Sequence, residues 1–258
     1  MHIEIQDKDR NVLGKSVDSG YGCALVHQAA YNEGDQIVIH VPVSGLYSIQ
    51  LDETLGSHVV YLEREARYAI PLQPALRTCY PAQAFLGSVH LLTLAKVEQT
   101  SRRNLALNPY DHHHTQGIFP HAKANVETRG EMVFAARNAI DGNHANHSHG
   151  NYPFESWGIN RDPKAELTLD FGRPVRIDEI RLTLRADWPH DSWWTEASVT
   201  DDTGETYTLA LQKDALPQRF PIKEKVVTSL TLHDLKKDER DPSPFPALTQ
   251  IEVWGVEA

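Results

Sequence analysis

Three short stretches of this 258-residue chain hold residue types that could do chemistry. The first is RADWPHDSWW, residues 185–194, with three of the five tryptophans beside an arginine, a histidine and two aspartates. A buried strand would not carry so many charges, and a plain surface loop would not carry so much indole. A sugar asks for both, because it presents an apolar C–H face and a rim of hydroxyls. Trp188, Trp193 or Trp194 would supply the flat ring, and Arg185, Asp187, His190 and Asp191 the hydrogen bonds. Adjacent residues on a strand point to opposite faces, so one of Trp193 and Trp194 is expected in the core.

The second stretch is HANHSHGNYPFESWG, residues 144–158. Its Asn, Gly and Pro make it a loop. His149 and Glu155 would meet sugar hydroxyls, with Trp157 beside them. Alternatively His147 and His149 would chelate one transition-metal ion, completed by His144 or His121. The spacing H-x-x-H-x-H is not a standard zinc framework, and plain surface histidines are the third reading. The third stretch is YDHHHTQGIFPH, residues 110–121. Consecutive histidines cannot all point one way, so at most two of them share a site. In PHAKANVETRGE, residues 120–131, a strand would place Asn125, Glu127 and Arg129 on one face. The proline-rich DPSPFPALTQ, residues 241–250, is a rigid loop with Phe245 as an anchor.

The elements that must position these residues read as strands. GDQIVIHVPVSGLYSIQLD, residues 34–52, alternates apolar and polar residues and breaks at Ser44-Gly45, which predicts a hairpin. HVVYLE, RYAIPL and SVHLLTLAKVEQ continue in that style. A second set follows in AELTLDFG, RIDEIRLTLRAD, EASVTDDTGETYTLAL, KVVTSLTLHDL and LTQIEVWGV, with a tight turn at Asp202-Thr203-Gly204. EMVFAARNAIDG, residues 131–142, is the best helix candidate. Strand signals thin out from Asn104 to Asn160, a segment holding seven of the 14 histidines, and loops that long are often functional. The expectation is an all-β chain of two β-sandwich domains, residues 1–100 and 101–258.

Composition narrows the partners. The formal net charge is −10, which argues against nucleic acid and against docking on anionic lipid. Hydrophobic residues make up 40% and charged residues 23%, a balance that supports packed cores. The start, Met1-His2-Ile3-Glu4, lacks an apolar leader core, and no run is long enough to span a bilayer. The expectation is a cytoplasmic protein. Cys23 and Cys79 could form one bridge but no disulfide framework.

The second half resembles a known family. RNLALN, ARNAIDGN, Trp157, AELTLDFG and QIEVWG occur in the order of the discoidin-like, coagulation-factor type C domains. These belong to the galactose-binding-domain-like superfamily, and the pattern is similar to carbohydrate-binding module family 32. The whole chain, including SIQLDETLG and PAQAF, also resembles bacterial proteins described only as carbohydrate-binding-like. The family resemblance implies a jelly roll with ligand loops at one end and a carbohydrate partner, an oligosaccharide or sugar derivative. It also implies a structural calcium held at Asp141, Asn143 and Glu252, whose oxygen donors suit a hard cation.

The ligand-binding set expected on this basis is Arg185, Trp188, His190, Trp194, His149, Glu155 and Trp157. The N-terminal domain would pack against the second, make a homodimer, or cover the ligand loops to form a cleft. Two alternatives stay open. Glu127, Glu131, Glu155, Asp187 and Asp191 are carboxylates enough for glycosidase-type or lyase-type chemistry, with catalytic positions unknown. The aromatics could instead form a subunit interface. No phosphate loop, nucleophile elbow or HExxH helix is present.

Overall fold

The structure, a computed structural model, describes residues 1–20, 22–98, 100–185 and 192–258. In chain order its strands are β1 (His2–Gln6), β2 (Val12–Lys15), β3 (Val17–Asp18), β4 (Cys23–His27), β5 (Gln36–His40), β6 (Gly45–Gln50), β7 (His58–Ala69) and β8 (His90–Lys96). They continue with β9 (Arg103–Asn104), β10 (Gln116–Phe119), β11 (His121–Ala124), β12 (Trp157–Gly158) and β13 (Leu167–Leu184). The last four are β14 (Trp194–Asp201), β15 (Thr206–Ala210), β16 (Gln218–Lys237) and β17 (Ala247–Glu257). Every pairing is antiparallel. The all-β class expected from the alternation is what the chain adopts.

The first sheet runs β2-β1-β5-β7-β6-β8-β4-β3, with β10 added on β7. The second runs β12-β17-β13-β16-β14-β15, with β11 on β13 and β9 on β17. Each sheet encloses its own apolar core, one built around Ile3, Ile39, Tyr47 and Tyr68, the other around Trp157, Trp194, Ile180 and Leu230.

The predicted hairpin at Ser44-Gly45 is a corner instead. β5 and β6 both pair with β7, β5 along Glu65–Ala69 and β6 along His58–Leu62, in one continuous direction. Residues 41–44 carry the chain from β5 to β6 without reversing it. A corner and a hairpin interrupt alternation in the same way, so pattern alone could not separate them.

The predicted helix over residues 131–142 is a pair of single 3-10 turns, Met132–Phe134 and Ala136–Ala139. Ala135 between them is extended, at φ −72° and ψ 155°, which stops α-helical propagation. The strand expected to carry Asn125, Glu127 and Arg129 on one face ends at Ala124. Those three side chains go to different partners: the Lys164 carbonyl, His113 and Glu131 respectively.

β13 shows how one strand serves the core along its whole length. Its inward residues are Leu167, Leu169, Phe171, Val175 and Ile177, then Ile180, Leu182 and Leu184. Parity switches after Ile177, where the pairing with β17 slips by one residue. That bulge absorbs Asp178 and returns the apolar side to the core. Gly255 lies opposite; a Cβ there would sit 2.0 Å from the Arg176 carbonyl oxygen, so only glycine fits.

The segment after residue 104 ties the two sheets together. Tyr110 is fully buried in the first core, where the Leu51 amide donates to its hydroxyl. Arg137 is buried and reaches back from the second half. It donates to the carbonyls of Asp111, Cys79 and Pro109, and its guanidinium lies 4.5 Å over the Tyr80 ring. Cys23 and Cys79 are both buried and unpaired, and burial pushes the Cys79 thiol up to about 11. No helix among the described residues is long and apolar enough to cross a membrane.

Candidate functional site

Four chain segments converge at one end of the second sheet. The end of β13 supplies Arg185, and the strand β12 leads into residues 158–161. Two 3-10 turns, Thr128–Gly130 and Met132–Phe134, bring Arg129 and Phe134, and the proline-rich entry to β17 brings Phe245 and Pro246. Between them lies a cavity of about 170 Å³, with His149 on its rim.

The chain backbone is bent into unusual shapes to make this cavity. Arg129, Asn160 and Arg161 all have positive φ, at 54°, 48° and 63°. Three non-glycine residues in the left-handed region line one pocket, and such residues concentrate at functional sites. The cost is offset by local bonds. The Asn160 amide donates to Thr128 Oγ1 at 2.9 Å, and the Asp162 amide to the Ile159 carbonyl at 2.8 Å. Gly158 permits the close approach, because a Cβ there would meet Thr128 Oγ1 at 2.6 Å.

The side chains give the cavity an aromatic and cationic lining. Arg161 lies over Phe245 at 4.3 Å and Arg129 over Phe134 at 5.3 Å, both within cation–π range. Arg129 is held by Glu131 through two bonds of 2.6 and 2.7 Å. Arg185 is buried, and its guanidinium donates to the Phe245 carbonyl at 3.0 Å. Arg161 is exposed and has no carboxylate partner among the described residues. No acidic side chain lines the cavity among the described residues. A broader groove of about 1010 Å³ continues from it across Arg161, Ile159 and Pro246, walled by Pro163, Pro242 and Pro244.

Of the seven expected ligand residues, the structure brings Arg185 and His149 to this cavity. Trp188 and His190 lie outside the described residues, as do Asp187 and Asp191. Trp157 and Trp194 are corrections. Both are fully buried, with ring centroids 6.5 Å apart, and Trp157 donates to the Val126 carbonyl. A fully buried indole presents no ring face to a ligand; Trp157 is core, and Trp194 is core that also backs the lining of the broader groove. Trp193, half-buried, packs on the same core.

Glu155 goes elsewhere, to a polar cavity of about 270 Å³ between the two sheets, shared with Cys79, Tyr80, Arg137, Asp141 and Asn143. Glu155 Oε1 accepts from the Asn143 amide at 2.9 Å. Asp141 is buried beside it, and its carboxyl is raised to about 8. Burial is the main cause and the Glu155 charge adds to it, while Arg137, at 3.7 Å, pulls the other way.

The calcium expectation depends on Asp141, Asn143 and Glu252, and donors occupy all three. The Gln250 amide nitrogen lies 2.7 Å from the Asn138 carbonyl, 2.8 Å from Asp141 Oδ1 and 2.6 Å from the Thr249 carbonyl. Three oxygens thus converge on one nitrogen, in the place where a cation would need them. The Asn143 side-chain oxygen accepts from the Ala145 amide at 3.1 Å, while its nitrogen donates to the Pro153 carbonyl and to Glu155. Glu252 accepts from the Trp254 indole at 2.7 Å and faces Arg181 at 3.7 Å. As arranged, these residues do not fit a calcium ion, because the Gln250 amide nitrogen stands among the oxygens that would have to converge on it.

The histidine loops disperse. His112 packs edge-on to Tyr68 at 4.7 Å and is held down to about 3 by burial. His113 pairs with Glu127 and His121 with Asp111, each bond raising the imidazole. His144 faces Glu252, and His147 meets Phe154 edge-on.

Sequence reasoning missed Arg161, Arg129's place in the cavity, and Phe134. The signal for Arg161 was only a turn, Gly158-Ile-Asn-Arg-Asp-Pro, with no aromatic to draw attention to it.

No protein-family model matches the chain, and no curated protein matches it. Solved structures do. Chitosan-binding module 1 of a chitosanase/glucanase from Paenibacillus sp. IK-5 is 16% identical with a TM-score of 0.42, covering 59% of this chain and 99% of that one. The family 32 module of C. perfringens NanJ, in complex with galactose, is 15% identical with a TM-score of 0.39, covering 52% and 91%. The lectin domain of lectinolysin, complexed with Lewis B antigen, is 15% identical with a TM-score of 0.42, covering 58% and 95%.

Proposed function

We propose that this chain binds the terminal residue of an acidic glycan in the arginine-lined cavity, the rest of the glycan running along the proline-walled groove. One observation carries the reading. In a chain of net charge −10, exposed Arg161 has no carboxylate partner among the described residues and stands with Arg185, His149, two phenylalanines and the Glu131-paired Arg129 around a cavity whose described lining holds no acid. Guanidinium forks pair with a carboxylate in bidentate fashion, and aromatic rings take the C–H face of a sugar. A cavity of about 170 Å³ is small beside the roughly 300–1,000 Å³ of a drug-sized site, so it suits one sugar ring. Trp188 and His190 follow Arg185 within five positions and are carried in the proposal as further contacts.

No carboxylate lines the cavity among the described residues, whereas Asp234, Asp238 and Glu239 line the adjoining groove. The test is a glycan array of neutral and acidic oligosaccharides, followed by calorimetry on the hits. Arg161→Ala should weaken binding of an acidic glycan by about 10-fold or more, the order expected for a charge-assisted hydrogen bond. Failure to bind any glycan overturns the reading. Equal affinity for neutral and acidic forms of one glycan overturns the assignment of an acidic sugar.

A further inference from the structure

The N-terminal sheet carries a second constellation, far in sequence from the cavity just described. His27 and His90 stand directly opposite each other across β4 and β8. The Tyr31 ring stacks on both, 4.1 Å from His90 and 5.3 Å from His27. Asp52 and Glu53 follow β6 at the same end. One ligand atom each from Asp52, Glu53 and His90 lies within 4.8 Å of the others.

We propose that Asp52, Glu53 and His90 hold a first-row divalent metal ion. Three buried polar atoms in this stack, His90 Nε2, His27 Nε2 and Tyr31 Oη, have no protein hydrogen-bond partner. Unpaired buried polar groups call for an explanation, and three gathered in one stack beside two carboxylates point to a ligand. The Asp52 carboxylate is oriented by the Thr54 and Phe85 amides, and the Leu91 amide fixes one oxygen of Glu53. Outer bonds of that kind are what aim metal ligands. Neither acid has a Lys or Arg partner among the described residues, so the negative charge of the pair is uncompensated by the protein.

A second histidine–carboxylate group offers a useful contrast. His2, Glu4 and His40 also lie within 4.8 Å, but Lys15 holds one Glu4 oxygen at 2.9 Å and Gln6 holds the other at 2.8 Å. There a lysine already supplies the cation. At Asp52 and Glu53 no lysine or arginine does so among the described residues. Two carboxylates and one imidazole suit ions from Mn²⁺ to Zn²⁺, at bonds of roughly 2.0–2.2 Å. Glu53 is exposed, so its side chain can swing to close the shell.

The test strips the full chain with chelator and titrates it with Co²⁺ by visible absorption and Zn²⁺ by calorimetry. One ion per chain is expected. Glu53→Gln should weaken it by about 10- to 100-fold, as should His90→Asn if that variant folds. A His113→Ala/His147→Ala double variant should leave it unchanged. Absence of stoichiometric binding overturns the proposal, as does binding that survives Glu53→Gln or vanishes with the two loop histidines. Neither result bears on glycan binding.

Discussion

Arg137 and Arg161 each lie over an aromatic ring, at 4.5 Å from Tyr80 and 4.3 Å from Phe245, yet they do opposite work. Arg137 is buried between the sheets. Its three nitrogens donate to three backbone carbonyls from 79 to 111, and Asp141 lies close by. Arg161 is exposed on a strained turn, with no acid to neutralise it among the described residues. A cation whose donors are all used internally holds a fold together. A cation whose donors are left over is available to a ligand.

The largest effect should come from breaking the first of these. Arg137→Met keeps the volume but strands the three buried carbonyls to which the guanidinium donates. At about 1–3 kcal/mol for each acceptor left unpaired, the loss should be about 3–5 kcal/mol or more. Urea denaturation should show a loss of that size, with the sheets coming apart as one transition or two. Arg161→Ala should stay within about 0.5 kcal/mol of wild type in the same experiment, as an exposed residue does. A comparable loss in both variants would mean that Arg161 is structural and the contrast is false.

A smaller effect, in pH dependence, isolates the junction further. The folded Asp141 carboxyl is raised to about 8 from an ordinary 3.8, so between those values the folded chain keeps a proton that the unfolded chain has lost. Stability from this group is therefore greatest at low pH and declines as pH rises toward 8. Asp141→Asn removes the titration. Wild type should lose stability relative to Asp141→Asn from pH 5 to pH 8, with the difference levelling above 8. A difference that stays flat across this range would mean that Arg137 keeps Asp141 ionised throughout.

How much of this was legible in sequence differs between the two regions. Alternation identified the strands of both sheets, because a half-buried strand must alternate. It could not distinguish a corner from a hairpin at residues 41–44, since both interrupt the pattern alike. Arg185 and His149 were found because charged residues in an aromatic loop stand out. Trp157 and Trp194 were over-read for a related reason: indole serves a core as well as it serves a sugar, and its address is decided by neighbours distant in sequence. Arg161 was invisible, because its meaning lies in a left-handed backbone that only the packing of Thr128 against Gly158 imposes. The role of Arg137 was equally hidden, since its partners are backbone carbonyls, which have no sequence signature.

The smallest expected effect concerns calcium. In the resemblance on which it was expected, the ion would sit among oxygens at the Asp141 turn. Here the Gln250 amide nitrogen already faces three oxygens at 2.6–2.8 Å, and Arg137 brings a full positive charge to the same carboxylate. An entering ion would have to eject the amide and stand beside the guanidinium, whose charge repels it. Millimolar Ca²⁺ should therefore shift the melting temperature by less than about 1 °C, since a ligand stabilises only in proportion to its occupancy of the native state. The measurement belongs in the Glu53→Gln background, where the proposed N-terminal metal site cannot contribute. A clear rise in melting temperature there, abolished by Asp141→Asn, would show that the amide yields to the ion. The junction would then be a cation site with Gln250 as its displaceable occupant.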